Sequence, residues 1–263
     1  MKSTFAARYA GLLTVMYLTV VGTGDLRAAP LTLNLDSSQS SITLSGSFSN
    51  IPAMQQGPGS LTASYSGPIS IDVDNLLAPT SIQISGSSAV ASISGQWLPE
   101  AGGGPAAGNP GTAQNANYGL QVSGGALGNA YAAIRNLEFN VTGGPVPVVA
   151  GAFPSTQTLN VASGLFAFNL PPFFMDPPGQ DDLSGNMLTN ASATPSTYSV
   201  SGSTATLTIP ISITDIDDDL TIVYTGRLVA TGQIPEPSSI ALVSLALVGV
   251  SGVLSAGRRG RQS

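Results

Sequence analysis

The sequence predicts an all-β protein: an antiparallel sandwich or barrel-like exported domain, with an N-terminal signal helix and a single C-terminal transmembrane helix. Three observations lead there. Short runs of alternating apolar and polar residues recur through the middle of the chain, separated by glycine, proline and asparagine. Only 8% of residues are charged while 42% are hydrophobic, a balance that favours a packed core over disorder. Each end carries an apolar segment with basic residues on one flank.

The first element, residues 1–28, has the three parts of a secretory signal. Lys2 and Arg8 form a basic start, Tyr9 to Val21 is an apolar stretch short for a membrane span, and small residues follow. Gly22-Thr23-Gly24 offers small residues for cleavage, and a cut after Ala28 is the alternative. The signal implies use of the Sec export machinery and signal peptidase.

The second element is an exported β-rich domain, residues 30–232. Strand-like runs are Ser40 to Phe48, Gly59 to Gly67, Pro68 to Asn75, Thr80 to Trp97, Leu137 to Gly143, Thr156 to Leu170, Ser196 to Ile216 and Leu220 to Gly232. In the seventh, Leu207, Ile209, Ile211 and Ile213 alternate with polar residues and Pro210, whose missing N–H predicts a sheet edge or a bulge. Leu98 to Gly119 is rich in Gly, Pro and Ala and reads as a long loop or linker, within one domain or between two smaller ones. Pro171 to Asn186 reads as a second irregular stretch, whose Phe173, Phe174 and Met175 are expected to pack onto the sheet rather than to wedge against a ligand.

The chemistry available to this domain is narrow. Cys and His are absent, which excludes a Ser-His-Asp or Cys-His centre and any thiolate or imidazole metal ligand. Asp72, Asp74, Glu100 and Glu138 are the candidates for glycosidase-type carboxylates, and nothing in their spacing selects a pair. Asp215, Asp217 and Asp219 alternate like a short series of calcium ligands. Their run lacks the glycine and distant Glu of an EF-hand loop, and joins two strand patterns, as a hairpin turn would. Asn140-Val-Thr and Asn190-Ala-Ser match glycosylation acceptors, a frequent coincidence. Between the terminal segments Arg135 and Arg227 are the only cations, so nucleic acid is not an expected partner. No cofactor is expected, and the domain reads as non-enzymatic.

The third element, residues 234–263, is tripartite. Pro235, Glu236 and Pro237 come first, and the two prolines hold the backbone extended. Ser238 to Gly257 follows without a charge, and at ~1.5 Å per helical residue it spans a bilayer's hydrocarbon core. Arg258, Arg259 and Arg261 close the chain and orient its C-terminus to the cytoplasm.

These three parts, in this order and at this end, resemble the PEP-CTERM protein-sorting domain. The resemblance covers the tail alone. It implies an exosortase as partner, an integral-membrane cysteine protease or transpeptidase of Gram-negative bacteria that processes the tail at or near Pro235-Glu236-Pro237. It also implies association with exopolysaccharide, biofilm and extracellular matrix. The expectation is therefore a non-enzymatic protein that passes through the inner membrane and ends at the cell surface or in the matrix. The alternative is a permanently anchored extracellular binding module for carbohydrate, lipid or calcium.

Overall fold

Burial alternates along the strands as polarity alternates in the sequence. β1 (Leu31–Leu35) buries its three leucines and exposes Thr32 and Asn34. The computed structural model describes residues 30–174, 176–217 and 219–234. The signal segment, the motif Pro235, Glu236 and Pro237, the apolar span 238–257 and the arginines Arg258, Arg259 and Arg261 lie outside the described residues. Among the described residues no helix is long and apolar enough to cross a membrane.

After β1 come β2 (Ser41–Phe48), β3 (Ile51–Gln55), β4 (Thr62–Val73), β5 (Ser81–Ser87) and β6 (Ala89–Ala91). A small ladder of β7 (Gly95–Trp97) and β8 (Gln114–Ala116) stands apart from the main sheet. The chain continues through β9 (Tyr118–Ser123), β10 (Asn129–Pro147), β11 (Ala152–Phe153), β12 (Thr158–Asn169), β13 (Gly179–Asp182) and β14 (Met187–Thr189). It ends with β15 (Ser196–Ser201), β16 (Thr204–Asp217) and β17 (Leu220–Gln233).

Neighbouring strands pair antiparallel in the order β11-β15-β16-β17-β1-β4-β2-β3-β9-β10-β12-β13. Strands β5 and β6 lie between β4 and β10, with Ser88 as the irregularity between them. Hydrogen bonding closes a circuit, β2-β3-β9-β10-β6-β4 and back to β2, so the layers are joined as in a barrel. One core fills the interior, drawn from Leu33 and Tyr65 before the Leu98–Gly119 stretch and from Phe139, Leu207 and Leu228 after it. The chain between Pro30 and Ile234 is therefore one unit, and the Gly/Pro/Ala-rich stretch does not divide it.

Several expectations change. Gly59 to Gly67 and Pro68 to Asn75 read as two strands, but the chain runs through Gly67-Pro68 as the single strand β4. Gly67 has φ +121°, and a Cβ there would lie 1.9 Å from the Ser88 carbonyl oxygen. Glycine thus lets β4 continue where another backbone presses against it, a signal that reads as a turn when seen alone. The run Leu137 to Gly143 is only the middle of β10. The irregular stretch Pro171 to Asn186 contains β13, which pairs with Leu165 to Phe168 of β12.

Pro210 follows the expectation. It lies beyond the last pair of the β15–β16 ladder, Thr197 with Thr208, so that edge of β16 is open there. Asn190 takes the place of a strand: its Nδ2 donates to the Pro210 carbonyl at 2.7 Å and its Oδ1 accepts from the Ser212 N–H at 2.9 Å. Asn190 is buried, which removes it as a glycosylation acceptor in the folded chain.

Candidate functional site

The Leu98–Gly119 stretch, expected as one loop, carries β8 and the first residues of β9, and its irregular part is held by half-buried Gln56 and buried Asn169 and Arg135. Gln56 receives the Leu98 N–H at 2.8 Å and donates to the Leu98 carbonyl and, at 3.1 Å, to that of Leu120. Asn169 accepts from the Gly108 N–H at 3.0 Å and donates to the Gly103, Ala106 and Asn109 carbonyls at 2.6, 3.0 and 3.2 Å. Arg135 donates through Nη2 to the carbonyls of Trp97 and Pro99, at 3.1 and 2.5 Å. Its Nε and Nη1 have no protein partner, and burial lowers its pKa. The Trp97 ring rests where Gly57, Gly95 and Gly119 leave room, since a Cβ at any of these would lie within 2.8 Å of it.

The candidate carboxylates do not assemble. Asp74 binds the Thr80 side chain and accepts from the Thr80 and Ser81 N–H groups at 2.9 and 3.1 Å, which lowers its pKa to about 2. Glu100 holds the Thr112 hydroxyl at 3.1 Å, and Glu138 the Ser88 hydroxyl at 2.6 Å. Each therefore serves a local turn or strand contact, and Asp72 lies on β4 opposite Gln83. The Asp-rich run closes a hairpin, with Asp217 paired to Leu220. Asp218 and the Asp217 side chain lie outside the described residues. Among the described residues no cluster of three carboxylates is placed to hold a metal ion. Phe174 packs edge-on against Phe48 at 5.7 Å, as expected of a loop docked on the sheet, whereas Phe173 is 67% exposed.

Among the described residues the most apolar feature with room for another molecule is a cleft between the layers; a polar hollow of ≈ 380 Å³ beside Asn115, Asn136 and Glu138 is separate from it. A cavity of ≈ 190 Å³ is lined by Phe48, Ala53, Leu120, Ala130, Ala132 and Leu170, among others, almost entirely through carbon. A second cavity of ≈ 330 Å³ adjoins it, and Phe166, Phe168, Leu220 and Ile222 line both. Asp181, Asp182 and Asn186, all exposed, and half-buried Asp215 complete the lining of that second chamber and mark its solvent side. The Ser184 backbone and side chain keep the Asp182 pKa below the ordinary carboxylate range, so it is anionic at neutral pH.

The cleft could be foreseen only in part. Phe166, Phe168 and Leu170 alternate in the sequence, but alternation cannot distinguish a wall facing core from a wall facing a cavity. The chain matches no protein-family model, no curated protein and no solved structure. What fold and site define is an antiparallel all-β domain with an apolar interlayer cleft and an acidic mouth.

Proposed function

We propose that this is a non-enzymatic exported protein of the cell surface or extracellular matrix, inserted in the inner membrane by its C-terminal tail and processed there by an exosortase. One positional observation carries the reading. Asn34 and Leu35 pair with Thr231 and Ala230, so the start of β1 lies beside the end of β17 and both boundaries of the domain sit at one end of the fold. The arrangement accords with flanking segments that both carry their basic residues on the cytoplasmic side before the leader is removed.

The junction with the tail is short. The Ile234 N–H still donates to the Ser203 carbonyl at 2.8 Å, and Pro235 follows at once. A protease at the membrane surface would meet Pro235-Glu236-Pro237, whose prolines disfavour a helix, directly after a residue still bonded to the domain. The apolar cleft favours the second reading, a permanently anchored extracellular binding module, here with a lipid-like ligand; that reading keeps the tail and gives the domain a ligand.

Replacing Pro235, Glu236 and Pro237 with alanine, with a tag at the C-terminus, tests the proposal in an exosortase-containing host. The wild-type protein should lose the tag and leave the membrane fraction while the variant stays full length. Retention of both as full-length membrane proteins would leave only the permanent anchor.

A further inference from the structure

The geometry points to the interlayer cleft as a binding site for a single-chain amphiphile with a cationic or uncharged head, its alkyl chain held between the layers and its head at the acidic mouth. Three observations converge on that chemistry. The first is the lining. An apolar cavity of about 150 Å³ already accepts a benzene-sized guest and stays dry. The first chamber, at ≈ 190 Å³, is larger and equally free of polar partners. A polypeptide segment buried there would leave its N–H and C=O groups unpaired at a cost of several kcal/mol or more, a penalty that an alkyl chain does not incur.

The second is charge. Residues 30–234 carry two cations against twelve carboxylates, a formal charge of −10. Asp181, Asp182 and Asp215 stand where the second chamber opens, so an anionic head would meet repulsion and a cationic one attraction. The third is position. The cleft takes Leu220 and Ile222 from the first residues of β17, whereas the tail departs after Gln233. At ~3.3 Å per residue the two lie some 40 Å apart along the strand, so a guest in the cleft sits away from the domain's C-terminal end. Beside the lining residue Phe48 stand two exposed apolar side chains that would guide a chain inward, Ile51, its partner on β3, and Phe173, which packs on Phe174.

The inference is independent of how the tail is processed. It is tested on the full chain in lipid nanodiscs, with methyl-labelled alanine and leucine observed by NMR. The probes are hexyltrimethylammonium, hexyl glucoside and hexanesulfonate, which share a chain and differ in the head. The expected result is saturable shifts at Ala130, Ala132, Leu120 and Leu170, tightest for the ammonium and weakest for the sulfonate by about three- to tenfold. Ala132→Leu, which fills the chamber, should weaken all three probes by about tenfold. The double variant Asp181→Asn with Asp182→Asn lies at the exposed mouth and should preserve the fold while narrowing the difference between heads.

Absence of saturable shifts, or sulfonate binding as tight as ammonium, would overturn the proposal. Unchanged binding in Ala132→Leu would place the probes elsewhere and overturn it equally. Should that variant unfold, Val122→Leu on the neighbouring strand β9, beside Ala130, is the substitute, with the same expected loss.

Discussion

The phenol oxygens of Tyr65 and Tyr118 lie 2.9 Å apart in the fully buried core, and Tyr118 also reaches the Ile42 carbonyl at 3.1 Å. The Tyr65 ring stacks on Phe139 with centroids 5.9 Å apart. These contacts tie β2, β4, β9 and β10, four strands of the closed circuit, at its centre. Removing one hydroxyl strands its partner in a place that water does not reach. Tyr118→Phe should therefore cost about 1–3 kcal/mol of stability by denaturant unfolding, more than a half-buried Tyr131→Phe control.

Alkaline pH should weaken the fold. Burial raises the pKa values of Tyr65, Tyr118 and Tyr224, and each ordinarily ionises near 10. Below pH ~10 both folded and unfolded chains keep these protons, and stability is unaffected. Above it the unfolded chain releases protons that the folded chain retains, so stability falls as pH rises. Unfolding midpoints measured upward from about pH 9 should decline, with a shallower slope in Tyr65→Phe.

At the acid end the sign reverses. Asp74, with its pKa held down by the Thr80 side chain and the backbone of the β4–β5 turn, stabilises the fold above the ordinary carboxylate range. That contribution is lost as pH falls toward about 2. Asp74→Asn should lower stability at pH 6 and remove part of the acid dependence, as read from thermal midpoints across the range.

Asn190 stands in for a missing strand beside Pro210. Asn190→Ala removes a buried side chain that serves the part-buried Pro210 carbonyl and Ser212 N–H, and should cost about 1–2 kcal/mol. Asn190→Asp keeps the acceptor for Ser212 and loses the donor for Pro210, placing a charge in the core. It should be the worse of the two by chemical denaturation.

Arg135 fastens the Leu98–Gly119 loop through two carbonyls and carries an uncompensated charge under it. Arg135→Met exchanges those bonds for relief of the buried charge, so global stability should move by no more than ~1.5 kcal/mol. The loop itself should open. Faster amide exchange and proteolysis between residues 100 and 113, with a red-shifted emission from Trp97, would register it. Equal protection in both proteins would show that Gln56 and Asn169 suffice.

The all-β character was legible because period-two alternation is a local property: Leu207 to Ile213 point inward in the structure as they alternate in the sequence. The joins between strands were not legible, since they depend on distant partners. Gly67 reads as a break until Ser88 is seen pressed against it, and the Gly/Pro/Ala-rich loop reads as slack until Gln56, Arg135 and Asn169 are found beneath it. The Asp-rich turn was evident from its flanking strands. The cleft was hidden for a different reason: its wall is built from β2, β3, β9, β10, β12 and β17, whose meeting no local pattern encodes.

Strand β17 runs from the cleft to the junction with the tail, paired to β16 along its whole length and to β2 and β1 in succession on its other edge. Tension between a bound guest and the C-terminal end would act along this strand. Its ladders would then be loaded in shear, many hydrogen bonds at once, rather than peeled one after another. The central strand is in effect a tie-rod, and the domain should resist being drawn out lengthwise far better than being pried open from its β11 or β13 edge.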